Sequence, residues 1–458
     1  MLKIFDSFQK KKVEFTPIDS KCVKIYVCGP TVYNHPHIGN ARPAVFFDLF
    51  VRLLRTLYPK VIYVRNITDV DDKINAAAKQ AGVSIDVITK KFTRVYHDDL
   101  GQLGCLLPDI EPRATETMRD MIACIAQLLE LGYAYQAEGH VLFNIHSAPD
   151  YGVLSGRKTD DNQAGARVEV ASYKKDPLDF VLWKPAAADE PGWDSPWGRG
   201  RPGWHIECTA MIEKNLGLPI DIHGGGGDLL FPHHENERAQ GICLHNHKKP
   251  YANYWMHNGM IHMGSDKMSK SLGNIILVRD LLEDMPGEVL RLVLLQTHYR
   301  QPLIWKDNTM SQAKSWLDKV YRMLAEIPQA SRVLPWQDLP HSFQEALLDD
   351  INTPLALQHW YHLVKDCTEL VGDSQQEIAN QVWSCAEILG IAQEQPDTWF
   401  QKKQSATLST SEIEDLIAVR AAAKQQKDFK KADSIRDELA THGVILEDQQ
   451  GKTIWRFQ

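Results

Sequence analysis

Four side chains that are typical metal ligands lie far apart along this chain. Cys28 ends an apolar run, 23–28, that is typical of a buried strand, and Cys208 lies much further on. His233 and Glu237 are four residues apart, so a helix through them would carry both side chains on one face. Two thiols, an imidazole and a carboxylate are donors that tetrahedral Zn²⁺ accepts. If these residues bind one ion, the fold must bring three distant segments to one point.

The same residues also allow a plainer interpretation. Buried cysteines behave as small hydrophobic side chains, and a histidine pair can pack at the start of a helix. Scattered ligands have no fixed spacing that would identify a metal site by itself. Other histidines could replace a ligand or orient one. They are His205, His223, His234 and His257.

A segment suited to phosphate binding follows the first apolar strand. A turn containing Gly and Pro comes after Cys28, and a helix is predicted to begin near Gly39. The N-terminus of a helix offers free N–H groups and a positive dipole to an anion. Gly39 would let a phosphate or an adenine ring approach the backbone closely. His37 can donate a hydrogen bond to a phosphate oxygen.

A second phosphate-binding segment is the Lys-Met-Ser-Lys-Ser run at 267–271. Lys267 and Lys270 are three residues apart with a hydroxyl between them, so they could clamp a departing pyrophosphate. Alone, a Lys-Ser run is typical of a solvated loop, and His-Ile-Gly occurs by chance. Together, and in this order, the two segments are specific for nucleotide chemistry.

The two segments resemble the His-Ile-Gly-His and Lys-Met-Ser-Lys-Ser signatures of class I aminoacyl-tRNA synthetases. Further runs are similar to cysteinyl-tRNA synthetases. These runs are 26–33, 65–73, 200–208, 223–229, 232–237, 255–257, 349–354 and 427–429. The resemblance covers essentially the whole chain. The chain departs from the first signature at position 40, where Asn40 replaces the last histidine. The asparagine amide can donate a hydrogen bond but, unlike histidine, cannot carry a positive charge.

The resemblance implies ATP-dependent activation of L-cysteine to cysteinyl-adenylate and transfer to the 3′ end of tRNA(Cys). Mg²⁺ is expected with ATP, and one Zn²⁺ per chain is expected to select the substrate thiol. Thr68 and Trp204 are expected to line the amino-acid pocket. The expected zinc ligands are Cys28, Cys208, His233 and Glu237. The expected catalytic residues are His37, Asn40, Lys267 and Lys270, and the expected ATP-binding residues are His37, Gly39, Asp228 and Lys270.

Composition limits the class of protein. The 458 residues are 43% hydrophobic and 24% charged, which is ordinary for a globular chain of two to four domains. There is no long apolar stretch and no signal-peptide pattern, and eight scattered cysteines give no disulfide framework. We therefore expect a cytoplasmic protein with reduced thiols. The net charge of −8 argues against a general polyanion binder, but tRNA binding needs only local basic patches.

The expected fold is an α/β class with a Rossmann-like parallel sheet. The catalytic sheet is expected in two halves, 1–110 and 204–305, separated by a connective insertion at 111–203. A helical bundle is expected at 306–400 and a small anticodon-binding module at 411–458. In open α/β sheets, ligands bind beyond the carboxyl ends of strands. This rule would gather Cys28, Thr68 and Cys208 at one crevice.

Two other functions fit parts of the pattern. A cysteine ligase that passes the adenylate to a small amine would share the sheet, the zinc site and both signatures. A non-catalytic zinc- or nucleotide-binding regulator is suggested by Asn40, although the intact 267–271 run argues against it. The basic segment Lys424–Arg436 favours tRNA as the acceptor. A monomer is expected.

Overall fold

The computed structural model describes residues 1–157, 171–264, 266–268, 273–401, 410–426, 428–442, 444–449 and 452–457. The chain divides into two compact units. The first contains Met1–Val278, Leu294–Lys306 and His341–Ala356, and the second contains Arg279–Val293, Asp307–Pro340 and Leu357–Gln458.

The first unit contains most of the strands that the structure describes. They are β1 Lys3–Asp6, β2 Lys11–Glu14, β3 Val23–Val27, β4 Val61–Arg65, β5 Ala134–Ala137, β6 His140–Phe143, β7 Phe180–Pro185, β8 Gly200–Pro202, β9 Ile220–Gly226, β10 Ala252–Asn258, β11 Ile261–Met263, β12 Asp266–Lys267 and β13 Leu303–Trp305. The described α-helices before residue 250 are α1 Ile38–Leu57, α2 Asp72–Ala81, α3 Ile85–Gln102, α4 Met118–Glu130, α5 Trp204–Asn215 and α6 Glu235–Leu244.

A four-stranded parallel sheet with the order β10-β9-β3-β4 forms the centre of the first unit. The predicted parallel α/β sheet is therefore confirmed. Strands β3 and β4 are mostly apolar and buried, as expected for strands covered on both faces. In register, Tyr26 lies opposite both Val64 and His223. The carboxyl ends of β3, β4 and β9 consequently meet at one edge, directly after which Cys28 and Asn66 follow in the chain.

Helix α1 begins at this edge, and most of its side chains are buried. Pro43 lies inside this helix, in its second turn, where it has no backbone N–H to donate to the carbonyl oxygen four residues earlier. Arg42 is only 2% exposed. Its guanidinium donates to the carbonyl oxygens of Gly259 at 2.8 Å, Met260 at 2.9 Å and Gln301 at 2.5 Å. The start of α1 is thereby tied to the segments that flank β11 and β13.

The insertion between the halves of the sheet carries an antiparallel sheet with the order β5-β6-β7-β8. Its buried residues include Phe143, Leu182 and Trp183, which join one continuous core with α4 and α5. Gly200 allows β8 to approach β7, because a Cβ there would lie 2.4 Å from Trp183 Nε1.

The run 349–354, noted for its resemblance, has a structural role in the first unit. Asp350 is fully buried and has a positive φ of 60°. Its carboxylate accepts hydrogen bonds from Phe5 N, Tyr299 Oη and Arg300 Nε, each at 2.8 Å. This aspartate therefore fixes the N-terminal strand and the segment with Tyr299 and Arg300 to the same point.

The remaining described helices are α7 Val278–Asp284, α8 Gly287–Leu295, α9 Thr309–Leu324, α10 His341–Leu348, α11 Thr353–Thr368, α12 Gly372–Leu389, α13 Pro396–Gln401, α14 Thr410–Gln425 and α15 Phe429–Thr441. The second unit is mainly helical, as predicted. One face of α9 is buried at Leu317, Val320 and Tyr321. None of the described helices is long and apolar enough to span a membrane.

The C-terminal segment has a small core of its own. An antiparallel pair, β14 Val444–Gln449 and β15 Lys452–Phe457, follows α14 and α15. The buried residues of this core are Ile413, Ile435, Leu439, Val444, Leu446 and Trp455. These two strands form a β-hairpin after the last helix.

Candidate active site

The structure brings the four predicted metal ligands to one point. Cys28 follows β3, Cys208 lies on α5, His233 lies in a π-helical turn before α6, and Glu237 lies on α6. Their donor atoms all lie within 4.8 Å of one another. Sγ of Cys208 is 3.8 Å from Sγ of Cys28 and 3.6 Å from Nε2 of His233. Nε2 of His233 is 2.9 Å from Oε1 of Glu237. We refer to these four residues as the thiol cluster.

Burial and neighbouring groups shift the pKa values of the thiol cluster in different directions. The hydrogen bond with Cys28 lowers the pKa of Cys208 to about 6, against the effect of burial. Burial raises the pKa of Cys28 well above its ordinary value. Although burial opposes it, the Glu237 carboxylate raises the pKa of His233 to about 10. Metal ligands must be deprotonated, so an ion would displace the protons held here.

The donor chemistry of the thiol cluster fits a Zn²⁺ ion. Thiolate, imidazole and carboxylate are its usual ligands, and a buried set of this kind is costly to maintain without a partner. Three of the four residues are fully or almost fully buried. The fourth, Cys28, is half-buried. The set is therefore compatible with one metal ion.

A second set of donors overlaps the first. Cys28, His223, His234 and Glu237 also lie within 4.8 Å of one another. Nδ1 of His223 and Nε2 of His234 are buried and make no hydrogen bond. His223 and His234 are thus alternative ligands by geometry as well as by sequence.

The other two histidines occupy supporting positions. Nδ1 of His205 lies 2.9 Å from Nδ1 of His233, and burial lowers the pKa of His205 to about 3. Nε2 of His257 lies 2.7 Å from Nδ1 of His234. Burial also lowers the pKa of His257 to about 3. Both rings are therefore neutral and can orient the histidines that they contact.

The two expected pocket residues lie beside the cluster. Trp204 stacks on His233 with ring centroids 4.2 Å apart, and 41% of the tryptophan is exposed. Thr68 is buried and its hydroxyl accepts a hydrogen bond from Asn66 at 3.3 Å. Asn66 Oδ1 in turn accepts from Gly29 N at 2.8 Å.

Asn66 and Tyr251 were missed in the sequence analysis. Tyr251 Oη donates to Oε2 of Glu237 at 2.9 Å and so holds the ligand carboxylate. Asn66 fixes the backbone after Cys28, where a Cβ on Gly29 would lie 1.6 Å from Asn66 O. The signal for Asn66 was its position directly after a parallel strand. Tyr251 gave no such signal, because it lies directly before β10 and not after the carboxyl end of a strand.

The first phosphate-binding segment is built at the start of α1. His37 precedes the helix, and burial lowers its pKa although Asp228 opposes this effect. A Cβ on Gly39 would lie 2.9 Å from the His37 ring and 3.1 Å from Cε of Met268. Gly39 therefore permits close contact between the two signatures.

Asn40 has a defined structural contact. Its Oδ1 accepts a hydrogen bond from the backbone N–H of His37 at 3.2 Å, which satisfies a free donor at the helix start. The amide NH₂ is the end of this side chain that is suited to a phosphate oxygen.

The second signature is only partly described. Lys267 belongs to β12, which pairs with β11, and Met268 is buried. The start of α1 is linked to the segment beyond, since Ile38 N donates to Ile276 O at 3.0 Å. Lys270 lies outside the described residues.

Comparison with known proteins agrees with this arrangement. Residues 14–315 match the family model of the class I (C) tRNA synthetase catalytic domain. Residues 342–393 match the DALR domain, and residues 409–456 match the cysteinyl-tRNA ligase anticodon binding domain.

Solved structures with similar folds are tRNA synthetases. Methionyl-tRNA synthetase of Mycobacterium tuberculosis in complex with methionyl-adenylate gives a TM-score of 0.55 at 14% identity, covering 81% of this chain and 89% of that chain. The leucyl-tRNA synthetase ternary complex of Agrobacterium radiobacter gives a TM-score of 0.59 at 12% identity, covering 84% and 86%. These similarities concern the fold.

Sequence relatives match over their full length. The cysteine--tRNA ligase of Parvibaculum lavamentivorans is 54% identical over 99% of this chain and 97% of its own length. The cysteine--tRNA ligase of Maricaulis maris is 51% identical over 99% of both chains. Together with the catalytic and anticodon-binding family models, they show that this chain is an aminoacyl-tRNA synthetase of class I and belongs to the cysteine--tRNA ligase family.

Proposed function

We propose that this protein activates L-cysteine with ATP to cysteinyl-adenylate and transfers the cysteinyl group to the 3′ end of tRNA(Cys), with Zn²⁺ selecting the cysteine thiol. The observation that carries the proposal is the convergence of Cys28, Cys208, His233 and Glu237 at one buried point. This point lies at the carboxyl edge of the parallel sheet, where ligands of such folds bind.

Zinc explains how cysteine would be distinguished from serine. The two amino acids differ by sulfur in place of oxygen, which is too small a change for pocket shape to reject strongly. When bound in the thiol cluster, Zn²⁺ supplies a Lewis acid that favours a soft thiolate over a hydroxyl. The protein residues contribute by holding the donors in place: His205 contacts His233, and Tyr251 contacts Glu237.

Glu237 is the ligand best suited to yield to a substrate. Four protein donors would close a tetrahedral site, whereas an acceptor site needs an open or expandable position. Oε2 of Glu237 is held by Tyr251, so the carboxylate retains a partner when Oε1 is not engaged.

Activation requires attack of the cysteine carboxylate on the α-phosphate of ATP, with pyrophosphate leaving. Catalysis of such a transfer comes mainly from positioning and from stabilisation of charge. The start of α1, with His37, Gly39 and Asn40, would hold the phosphates at free backbone N–H groups. Lys267 and Lys270 would neutralise pyrophosphate together with Mg²⁺, and Asp228 would contact the nucleotide.

Cysteine-dependent ATP–pyrophosphate exchange is the direct test of activation. We expect exchange with cysteine and almost none with serine, followed by charging of tRNA(Cys). Exchange without charging, together with transfer to a small amine, would support the ligase alternative instead. No exchange with cysteine in zinc-loaded protein would refute the proposed function.

We assign the catalytic sheet to 1–110 and 204–305, the connective insertion to 111–203, the helical bundle to 306–400 and the tRNA-binding module to 411–458. The separate core of the C-terminal segment supports the last assignment.

We further propose that the protein acts as a monomer in the cytoplasm, where its ATP and tRNA substrates are available. Size-exclusion chromatography with light scattering tests the oligomeric state.

The C-terminal module is expected to contribute to tRNA charging and not to activation. Lys430 and Lys431 are exposed at the start of α15, beside Phe429, which is 63% exposed. Reversing both charges in Lys430→Glu/Lys431→Glu should lower kcat/KM for tRNA about tenfold or more and weaken its salt dependence. Pyrophosphate exchange should remain unchanged.

A matched control for this variant exists in the first unit. Lys248→Glu/Lys249→Glu makes the same change in charge at two exposed residues distant in sequence from the module. It should leave tRNA charging within about twofold of the wild type, because only local contacts to phosphates are removed. Equal losses in both double variants would mean that net charge, and not the module, determines tRNA binding.

Asn40 is expected to act both as a helix cap and as a phosphate donor. Asn40→Asp keeps an oxygen that accepts from His37 N and suits the helix N-terminus, so Tm should be retained. It removes the amide donor and adds negative charge near the phosphates, so kcat for exchange should fall about 10²-fold. Asn40→Ala should also lose about 1 kcal/mol of stability. Wild-type kcat in Asn40→Asp would reduce the role of Asn40 to capping.

A further inference from the structure

A small polar cavity lies beside the thiol cluster, and no step of cysteine activation described above uses its charged walls. Its volume is about 170 Å³. Its walls come from the start of α2, from strands β7 and β8 of the insertion, and from the start of α5. The polar and aromatic residues that matter are Asp71, Asp72, Lys184, Arg201, Trp204 and Glu207.

Arg201 presents unused hydrogen-bond donors at this cavity. Its side chain is 10% exposed, and Nη2 pairs with Asp72 at 2.8 Å and with Glu190 at 3.5 Å. Nε and Nη1 are buried and have no hydrogen-bond partner. Buried donors in native proteins are almost always satisfied, and an unmet one costs about 1–3 kcal/mol. A ligand that brings acceptor atoms into the cavity would satisfy both nitrogens.

Glu207 presents an unused oxygen at the same cavity. The residue is 2% exposed, and its Oε2 has no hydrogen-bond partner. A ligand suited to this cavity therefore has both acceptor and donor atoms on one edge. Inorganic phosphate, which has mainly acceptors, does not meet this requirement.

The charges on the walls also argue against a free anion. Lys184 Nζ and Arg201 Nη2 both lie 2.8 Å from the carboxylate of Asp72, so the two cations share a counter-ion already. Asp71 and Glu207 add further carboxyl groups. An uncharged heterocycle or sugar suits these walls better than a phosphate group does.

Trp204 adds a surface for stacking. One face of its indole contacts the His233 imidazole, yet 41% of the residue remains exposed. Exposed aromatic side chains of this kind stack on the unpaired bases of single-stranded nucleic acid. The volume is below the roughly 300 Å³ of pockets that enclose drug-sized ligands, so it suits a single ring system.

We infer that this cavity receives the 3′-terminal nucleoside of tRNA, with its base stacked on Trp204 and its polar edge bound by Arg201 and Glu207. Because Glu207 precedes Cys208 and Trp204 contacts His233, a ribose hydroxyl held here lies close to a cysteine bound at the thiol cluster. The inference rests on the proposed function, since it assigns the acceptor subsite of the same reaction.

Arg201→Lys tests this assignment. Lysine keeps a cation for Asp72 but lacks the Nε and Nη1 donors. We expect cysteine-dependent pyrophosphate exchange within twofold of the wild type and single-turnover transfer to tRNA lowered about tenfold or more. Glu190→Gln is the matched control, because it removes an ion-pair partner of Arg201 outside the cavity. Its exchange and transfer rates should both be unchanged.

A binding measurement gives an independent readout. Wild-type protein should bind tRNA(Cys) more tightly than the same tRNA without its terminal adenosine. Arg201→Lys should bring the ratio of the two dissociation constants toward one. Wild-type transfer by Arg201→Lys, an unchanged ratio, or equal losses of exchange and transfer would each overturn the assignment. Absence of exchange in the wild type would instead refute the proposed function and can be recognised separately.

Discussion

Cys208→Ala is expected to leave the protein without zinc and to lower cysteine-dependent pyrophosphate exchange by at least about 10²-fold. The wild type should contain about one zinc per chain by elemental analysis. The thiol of Cys208 has a depressed pKa of about 6 and lies within 3.8 Å of two other members of the cluster. It is therefore the donor most ready to bind as thiolate, and its loss leaves three ligands. Even removal of groups that only support ligands costs 10- to 100-fold in metal affinity or activity.

Cys243→Ala provides the control for the loss of a buried thiol. Cys243 lies fully buried on α6, the helix that also carries Glu237, but it is not one of the donors that converge. The control should retain zinc and exchange activity, with only a small loss of stability from the missing sulfur. Full cysteine affinity in a zinc-free Cys208→Ala variant would contradict metal selection of the thiol.

Much of the sheet and of the thiol cluster was predictable because local pattern and topology agree. Residues 23–27 of the apolar run form β3, and Cys28 follows at the carboxyl edge of the sheet, where ligands gather in parallel sheets. The spacing of His233 and Glu237 predicted a common helical face. Glu237 lies in the first turn of α6, whereas His233 lies in the preceding π-helical turn.

Contacts that depend on long-range packing were not predictable. Tyr251 holds Glu237 although fourteen residues separate them, and Arg42 donates to carbonyl oxygens more than two hundred residues away. Every residue has a backbone carbonyl group, so no sequence pattern could identify the carbonyl oxygens that Arg42 contacts. The second donor set with His223 and His234 also depends on how a strand and a helix pack.

Gly39 has a steric role that the sequence did not indicate. The glycine was expected to let a ligand approach the start of α1. The structure adds a steric reason, because a Cβ would crowd the His37 ring and the Met268 methyl group. Met268 lies between the two signature lysines, so the same glycine allows the two signatures to pack together.

Lys270→Ala is expected to lower kcat for pyrophosphate exchange about 10²- to 10³-fold while leaving KM for cysteine nearly unchanged. The prediction rests on the position of Lys270 in the second signature, two residues after Met268, whose methyl group approaches Gly39 at the phosphate-binding start of α1. Charge develops on pyrophosphate only as the bond to the α-phosphate breaks, so a cation placed there stabilises the transition state more than it stabilises bound cysteine.

The comparison with Lys270→Arg and Lys248→Ala makes the interpretation specific. Arginine retains the positive charge and should recover part of the rate, whereas its planar group cannot reproduce the point charge of an ammonium. Lys248 is exposed and lies outside both signatures, so its replacement should leave exchange unchanged. Steady-state kinetics with cysteine and ATP varied separately distinguish stabilisation of the transition state from ground-state binding of ATP. If Lys270→Ala raised only KM for ATP and kept kcat, the lysine would contribute ground-state binding of the nucleotide, and its role in stabilising the departing pyrophosphate would be refuted.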